Sequence, residues 1–187
     1  GPLAIGLISA SWYFLVATGM HHALVALAIT QIANMGADSI IMVGAISGTY
    51  ALMGLAVAYI IRCKKEDKAI ATANAVTLIV GGISEPTTYG ILYKVPVLYI
   101  VNTIAGTILA IYNGIVGTKA YAYGAYYLTN LPLFYSANDP TNLYKALIGI
   151  AIVAVVTFIG VMFTKWEYSE DDDAVAAPPT LKLFKKD

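Results

Sequence analysis

The chain has 187 residues, of which 59% are hydrophobic and 12% charged, with no net formal charge at pH 7 and a mean hydropathy of +0.73. Soluble domains are about 25% charged and about 45–50% apolar, so this composition excludes a soluble domain and predicts a polytopic protein of the lipid bilayer. No basic stretch carries interleaved aromatic residues, which argues against nucleic-acid binding. The single cysteine, Cys63, excludes an internal disulfide, and we expect no metal site and no other cofactor.

The first apolar stretch predicts one span followed by a half-length helix. Residues 2–19 are long enough to cross a bilayer, whereas residues 23–33 cover about half of a span and indicate a re-entrant arm. One long tilted helix over residues 2–33 is the alternative. Because the chain begins without Met and runs straight into apolar sequence, we expect it to be a fragment of a longer membrane protein.

The second predicted span covers residues 39–61 and follows a turn-like break. Asp38 is expected to cap the start of this helix. Gly44 and Gly48 share one helical face and would allow close packing of a neighbouring helix, although chance in a glycine-rich helix explains the spacing equally well.

A basic loop over residues 62–68, with four basic residues in seven, marks the cytoplasmic side. Residues 69–84 are short for a crossing, and we interpret residues 69–93 as a second re-entrant element that returns to the cytoplasmic side near Lys94. Cys63 lies beside two lysines that would lower its pKa, but we expect a thiol without a function.

Residues 95–116 and 145–164 are the remaining predicted spans. The segment between them is rich in tyrosine, and five of these residues fit an aromatic belt at the outer interface: Tyr121, Tyr123, Tyr126, Tyr127 and Tyr135. Trp166 and Tyr168 anchor the exit of the last span, and residues 167–187 read as a polar cytoplasmic tail or linker. The predicted fold is all-α, with about four transmembrane helices and one or two re-entrant hairpins.

Glu85 is the strongest candidate for a functional residue. It ends an apolar run, and Pro86 after it would break that helix and favour the first turn of a new one. An acid inside a membrane costs on the order of 3 kcal/mol, so it suggests a polar ligand site rather than a loop at the membrane surface. Its two oxygens can accept hydrogen bonds from neighbouring sugar hydroxyls, and they suit proton or sodium coupling as well.

His21 and His22 are the second candidates, because an imidazole can both donate to and accept from a hydroxyl. Adjacent helical residues point about 100° apart, so only one imidazole is expected to face a given cavity. A histidine hydrogen-bonded inside a helix bundle is the alternative. Three hydroxyl residues beside Glu85 can contact a ligand or cap the broken helix: Ser84, Thr87 and Thr88. Asn102 and Asn113 are weaker candidates.

Two of these segments resemble a known family. Residues 82–86, Gly-Ile-Ser-Glu-Pro, resemble the Gly-Ile-Thr-Glu-Pro signature of enzyme IIC, the membrane domain of the bacterial phosphoenolpyruvate-dependent sugar phosphotransferase system. Residues 18–22, Thr-Gly-Met-His-His, resemble its upstream Gly-Leu-His-His stretch, and residues 93–96 resemble the basic segment with proline that follows the signature. The resemblance covers about residues 2–166, as the C-terminal half of a permease (EIIC) of the glucose, β-glucoside and sucrose superfamily.

The resemblance implies a homodimeric, multi-pass sugar permease in the bacterial inner (cell) membrane, with re-entrant hairpins around a buried sugar. Glu85 and His21 would match the residues that bind the sugar, which would be a β-glucoside, sucrose or a similar compound. The chain would be the membrane part of a sugar phosphotransferase, whose partner domains IIB and IIA carry the phosphoryl transfer. Ser84 stands where threonine is usual, and Thr87 and Thr88 replace a more apolar pair, so the resemblance does not specify which sugar.

Two other functions fit the same residues. An ion-coupled secondary transporter would use Glu85 as its proton or sodium site, and would take up unmodified sugar without phosphoenolpyruvate. A membrane scaffold without transport activity would tolerate the loss of this carboxylate.

Overall fold

A computed structural model describes residues 1–124 and 128–166 of the chain, with the backbone alone at 128–130. The predicted tail, and Tyr126, Tyr127 and Tyr168 of the predicted interfacial aromatics, lie outside the described residues. The described residues form seven α-helices: α1 (Pro2–Ala17), α2 (His21–Met35), α3 (Ile41–Arg62), α4 (Lys68–Gly81), α5 (Glu85–Thr87), α6 (Pro96–Val116) and α7 (Thr141–Phe163). A π-helical turn (Thr88–Leu92) follows α5, and a 3-10 helix (Leu128–Phe134) precedes α7.

Three helices of the described chain are long and apolar enough to cross a membrane, namely α3, α6 and α7. Helix α1, which corresponds to the span predicted over residues 2–19, has 16 residues. It is therefore about 24 Å long, short of the roughly 30 Å hydrocarbon core. The alternative of one continuous helix over residues 2–33 is wrong, because the chain turns between α1 and α2 with Gly19 at φ 73°.

Helix α3 is the centre of the bundle, and glycine lets its neighbours approach closely. A Cβ atom added at Gly44 would lie 2.7 Å from the Ile8 side chain of α1, and one added at Gly54 would lie 2.6 Å from the Ala154 carbonyl oxygen of α7. The Cα atom of Gly48 would lie 2.9 Å from a Cβ added at Gly106 of α6. The predicted close packing is therefore confirmed at Gly44, where a larger residue would clash with α1, whereas a Cβ added at Gly48 itself would lie 3.4 Å from the Tyr13 ring, an ordinary contact.

Helices α1 and α2 form a hairpin whose two outer ends, the start of α1 and the end of α2, lie at the same end of the bundle. Pro2 lies against Gly114, near the C-terminus of α6, so α1 and α6 run in opposite directions. The return arm α2 ends just before Asp38, whose backbone N–H and C=O each pair with Ala120 beyond that same end of α6, at 2.8 Å. The turn of the hairpin, which carries Gly19, therefore lies away from that end, and residues 17–20 of the turn are exposed.

Helix α4 enters from the opposite end and starts a second hairpin. It follows the loop at the C-terminus of α3 and ends at Gly81, where Gly82 adopts a left-handed conformation at φ 69°. The sequence placed this break at Pro86, but Gly82 ends the helix because it accepts a positive φ without steric cost. Pro86 lies in the first turn of α5, as predicted. The Tyr93 hydroxyl then donates to the Tyr13 carbonyl of α1 at 2.5 Å.

Arg62 joins the last turns of α3 and α7. Its guanidinium donates to the carbonyls of Val161 and Thr164, both at 2.5 Å, which satisfies acceptors that the end of α7 leaves free. The same group lies 3.9 Å from the centre of the Trp166 ring, a cation–π contact. Trp166 thus anchors the exit of α7 beside the basic loop.

Candidate functional site

The turns of the two hairpins meet at one cavity of about 240 Å³. Its lining combines both motifs singled out from the sequence with residues of α1, α2 and the segment after α6: Trp12, Val16, His21, His22, Val25, Gly82, Ser84, Glu85, Tyr123 and Gly124. More than sixty positions separate His21 from Glu85 in the sequence. The fold brings them together because the two hairpins enter from opposite ends and turn at overlapping depths.

Glu85 is the first residue of α5 and belongs to the cavity wall together with Ser84. Its side chain is exposed, so the carboxylate is open to a ligand. Gly82, which ends α4, also lines the cavity, so the helix break and the acid belong to the same site.

Both imidazoles line the cavity, and their ring centres are 4.0 Å apart. The expectation that only one of them faces a given cavity is wrong. They are the first two residues of α2, and helical side chains tilt toward the N-terminus of their helix. Because no helical turn precedes them in α2, both rings can extend toward the turn of the hairpin. Nδ1 of His22 is 3.2 Å from the Gly19 carbonyl, and the Trp12 and His21 rings pack edge to face with 5.9 Å between their centres. Within the described residues, the buried Nδ1 of His21 has no partner.

Thr87 and Thr88 are fully buried and are absent from the cavity lining. The Thr87 hydroxyl donates to the Asn74 carbonyl at 3.2 Å, and the Thr88 hydroxyl donates to the Ser84 carbonyl at 2.9 Å. The side-chain amide of Asn74 donates in turn to the Pro86 carbonyl at 3.3 Å. The two bonds with Asn74 tie the turn after Glu85 to α4, and the Thr88 bond closes that turn locally, so the two threonines position the candidate site in this structure.

Sequence reasoning missed the apolar side of the cavity, which Trp12, Val16 and Val25 provide. A helical spacing of apolar residues does not distinguish a cavity wall from a lipid-facing surface. Tyr123 was interpreted as part of an interfacial belt, yet it too lines the cavity. Its position depends on how the segment after α6 folds back, which the local sequence does not show.

The remaining polar candidates have structural roles. The side-chain amide of Asn102 donates to the Gly48 carbonyl at 3.5 Å, and that of Asn113 donates to Ser47 Oγ at 3.2 Å, both between α6 and α3. The Asp38 carboxylate accepts from the backbone N–H of Met42 at 2.7 Å, which confirms the predicted helix cap.

Cys63 lies outside the cavity at the end of α3. Burial raises the pKa of its thiol, and the Asp67 carboxylate raises it further. The expectation that the adjacent lysines lower this pKa is wrong. Among the residues that the structure describes, no group of three potential metal ligands comes together.

Comparison with known proteins identifies the family. Residues 1–107, which carry both motifs of the cavity, match the family described as "Phosphotransferase system, EIIC". The chain belongs to the EIIC family. The resemblance found in the sequence is confirmed, and with it the assignment as a membrane component of a phosphotransferase system. No solved structure matches the chain significantly.

Three curated relatives extend the similarity to most of the chain. The arbutin-, cellobiose- and salicin-specific EIIBC component of Escherichia coli is 27% identical over 94% of this chain, and the sucrose-specific EIIBC component of Bacillus subtilis is 31% identical over 90%. The β-glucoside-specific EIIBCA component of Bacillus subtilis is 28% identical over 81%. The chain spans 36%, 36% and 24% of these EIIC-containing relatives, respectively.

Proposed function

We propose that this chain forms the sugar-binding half of a permease that moves a sugar across the membrane for phosphorylation. The observation that supports it best is the shared cavity, in which Glu85 of one hairpin and His21 of the other lie together. In this proposal α3, α6 and α7 cross the bilayer, while the α1–α2 hairpin and the hairpin formed by α4 and the π-helical turn are re-entrant from opposite sides.

The chemistry of the cavity suits a carbohydrate. The Glu85 carboxylate only accepts hydrogen bonds, and two neighbouring hydroxyls of one ring can donate to it together. The imidazoles of His21 and His22 can accept from one hydroxyl and donate to another. Ser84 adds a hydroxyl at the cavity wall, while Thr87 and Thr88 hold the turn that carries the acid.

The relatives suggest the partners and the class of sugar. Their names combine EIIC with EIIB, and in one case with EIIA, so we propose that IIB and IIA domains phosphorylate the sugar that this chain delivers. We further propose a homodimer and a substrate that is a β-glucoside, sucrose or a similar compound.

Transport in vesicles that contain the full-length parent tests this proposal. With IIB, IIA and the general phosphotransfer proteins supplied, cellobiose, salicin, arbutin and sucrose are offered separately, with and without phosphoenolpyruvate. The expected result is accumulation of the phosphorylated form of at least one sugar, only when phosphoenolpyruvate is present. Uptake of unmodified sugar driven by a proton or sodium gradient would instead support the ion-coupled transporter.

A further inference from the structure

Tyr123 differs from the other side chains of the cavity because neither hairpin carries it. It lies on the segment after α6, and its side chain is 52% exposed although it lines the cavity. Tyr135, in the stretch before α7, has the same exposed fraction and does not line the cavity. Tyr123 and Tyr135 are therefore equally exposed, but only Tyr123 lines the cavity, where about half of its surface is open to a ligand.

The backbone just before Tyr123 is anchored to two helices of the bundle. The hydroxyl of Thr118 donates to the Asn113 side chain of α6 at 3.0 Å. Lys119 bonds to the Asn142 side chain of α7 through both its backbone N–H and its C=O, each at 2.8 Å. Asn142 is fully buried, so these bonds form without competition from water.

The next two residues are anchored as well. Ala120 exchanges both backbone hydrogen bonds with Asp38, and the N–H of Tyr121 donates to the Leu133 carbonyl at 2.8 Å. Four consecutive residues, 118–121, are thus each fixed to a different part of the fold. Because Tyr123 follows two residues later, these bonds limit where its backbone can lie.

We infer that the aromatic ring of Tyr123 packs against an apolar face of the sugar and contributes to its recognition. This inference rests on the proposed function. A pyranose has a polar rim and apolar faces, and the carboxylate and imidazoles of the hairpins address the rim. A half-exposed aromatic ring offers an apolar surface at low entropic cost, which suits a face of the sugar ring.

Equilibrium binding to the purified full-length parent tests the inference, with radiolabelled cellobiose, salicin and sucrose offered separately and phosphoenolpyruvate omitted. For the sugars that the wild-type protein binds, Tyr123→Ala is expected to raise Kd about tenfold. Tyr123→Phe keeps the ring and should remain within about twofold of wild type. Tyr135→Ala is the matched control and should also leave Kd unchanged.

Three results would overturn the inference while the proposed function stands. They are a Tyr123→Ala protein that binds as tightly as wild type, an equal loss in Tyr135→Ala, or an equal loss in Tyr123→Phe. A wild-type protein that binds and transports none of the sugars would overturn the proposed function, and this inference with it.

Discussion

In the proposed function a single carboxylate at a helix break, that of Glu85, binds the sugar, so its replacement is the most direct test at the scale of residues. Glu85→Gln keeps the shape but removes the charge and replaces one acceptor oxygen with a donor. Losing two charge-assisted hydrogen bonds, each worth about 1.5–3 kcal/mol, should lower sugar uptake by the full-length parent about a hundredfold or more. His21→Ala removes one weaker partner and should cost about tenfold.

Uptake of labelled sugar into vesicles measures both effects. Glu66→Gln is the control, because this glutamate is exposed in the basic loop and is not part of the cavity wall. Unchanged uptake in Glu85→Gln would contradict the assigned role and would fit the membrane scaffold instead.

At the same scale, the sequence singled out three residues that the structure places in the cavity wall, Glu85 and both histidines, because charge and imidazole are rare in an apolar chain. It did not separate ligand contacts from local supports. Thr87 and Thr88 carry the same hydroxyl as Ser84, yet burial turns theirs toward carbonyls of the backbone. Which hydroxyl remains free depends on the tertiary fold.

At the scale of elements, glycine residues end helices and allow neighbouring helices to pack closely. Spans α3, α6 and α7 follow from hydropathy alone, with bounds close to those predicted. The end of α4 does not, because proline and glycine both stand near it and only the backbone geometry shows that Gly82 terminates the helix. Likewise, the spacing of Gly44 and Gly48 suggested a contact but could not name its partner helix.

Gly54 tests the packing of α3 against α7. In Gly54→Ala the new methyl group would meet the Ala154 carbonyl at 2.6 Å, so the helices must separate. Overpacking of this kind costs about 1–3 kcal/mol, and the midpoint of thermal unfolding in detergent should fall. Gly81→Ala is the control, since its new Cβ would have no neighbour closer than 4.0 Å. Equal midpoints for the two variants would contradict the close contact.

At the scale of the whole molecule, the site exists because two hairpins from opposite ends meet. The contacts that create it join residues far apart in sequence, as the hydrogen bond from Tyr93 to the Tyr13 carbonyl illustrates. Hydropathy gives the length of each arm but not its depth or its partner. For this reason the resemblance to a family, rather than any local pattern, was what linked His21 to Glu85 in the sequence.

In the proposed arrangement, with hairpins re-entrant from opposite sides, the two ends of the bundle face opposite sides of the membrane. The end that carries the basic loop and Arg62 should be cytoplasmic, because positive residues near spans are retained there. The other end carries the pairing of Asp38 with Ala120 and, before α7, the exposed Asn138. In a Cys63→Ser background, Lys65→Cys should react with a membrane-impermeant maleimide only in inverted vesicles, and Asn138→Cys only in intact cells. Labelling of both positions from one side would contradict the arrangement, and exchanged sides would contradict its orientation.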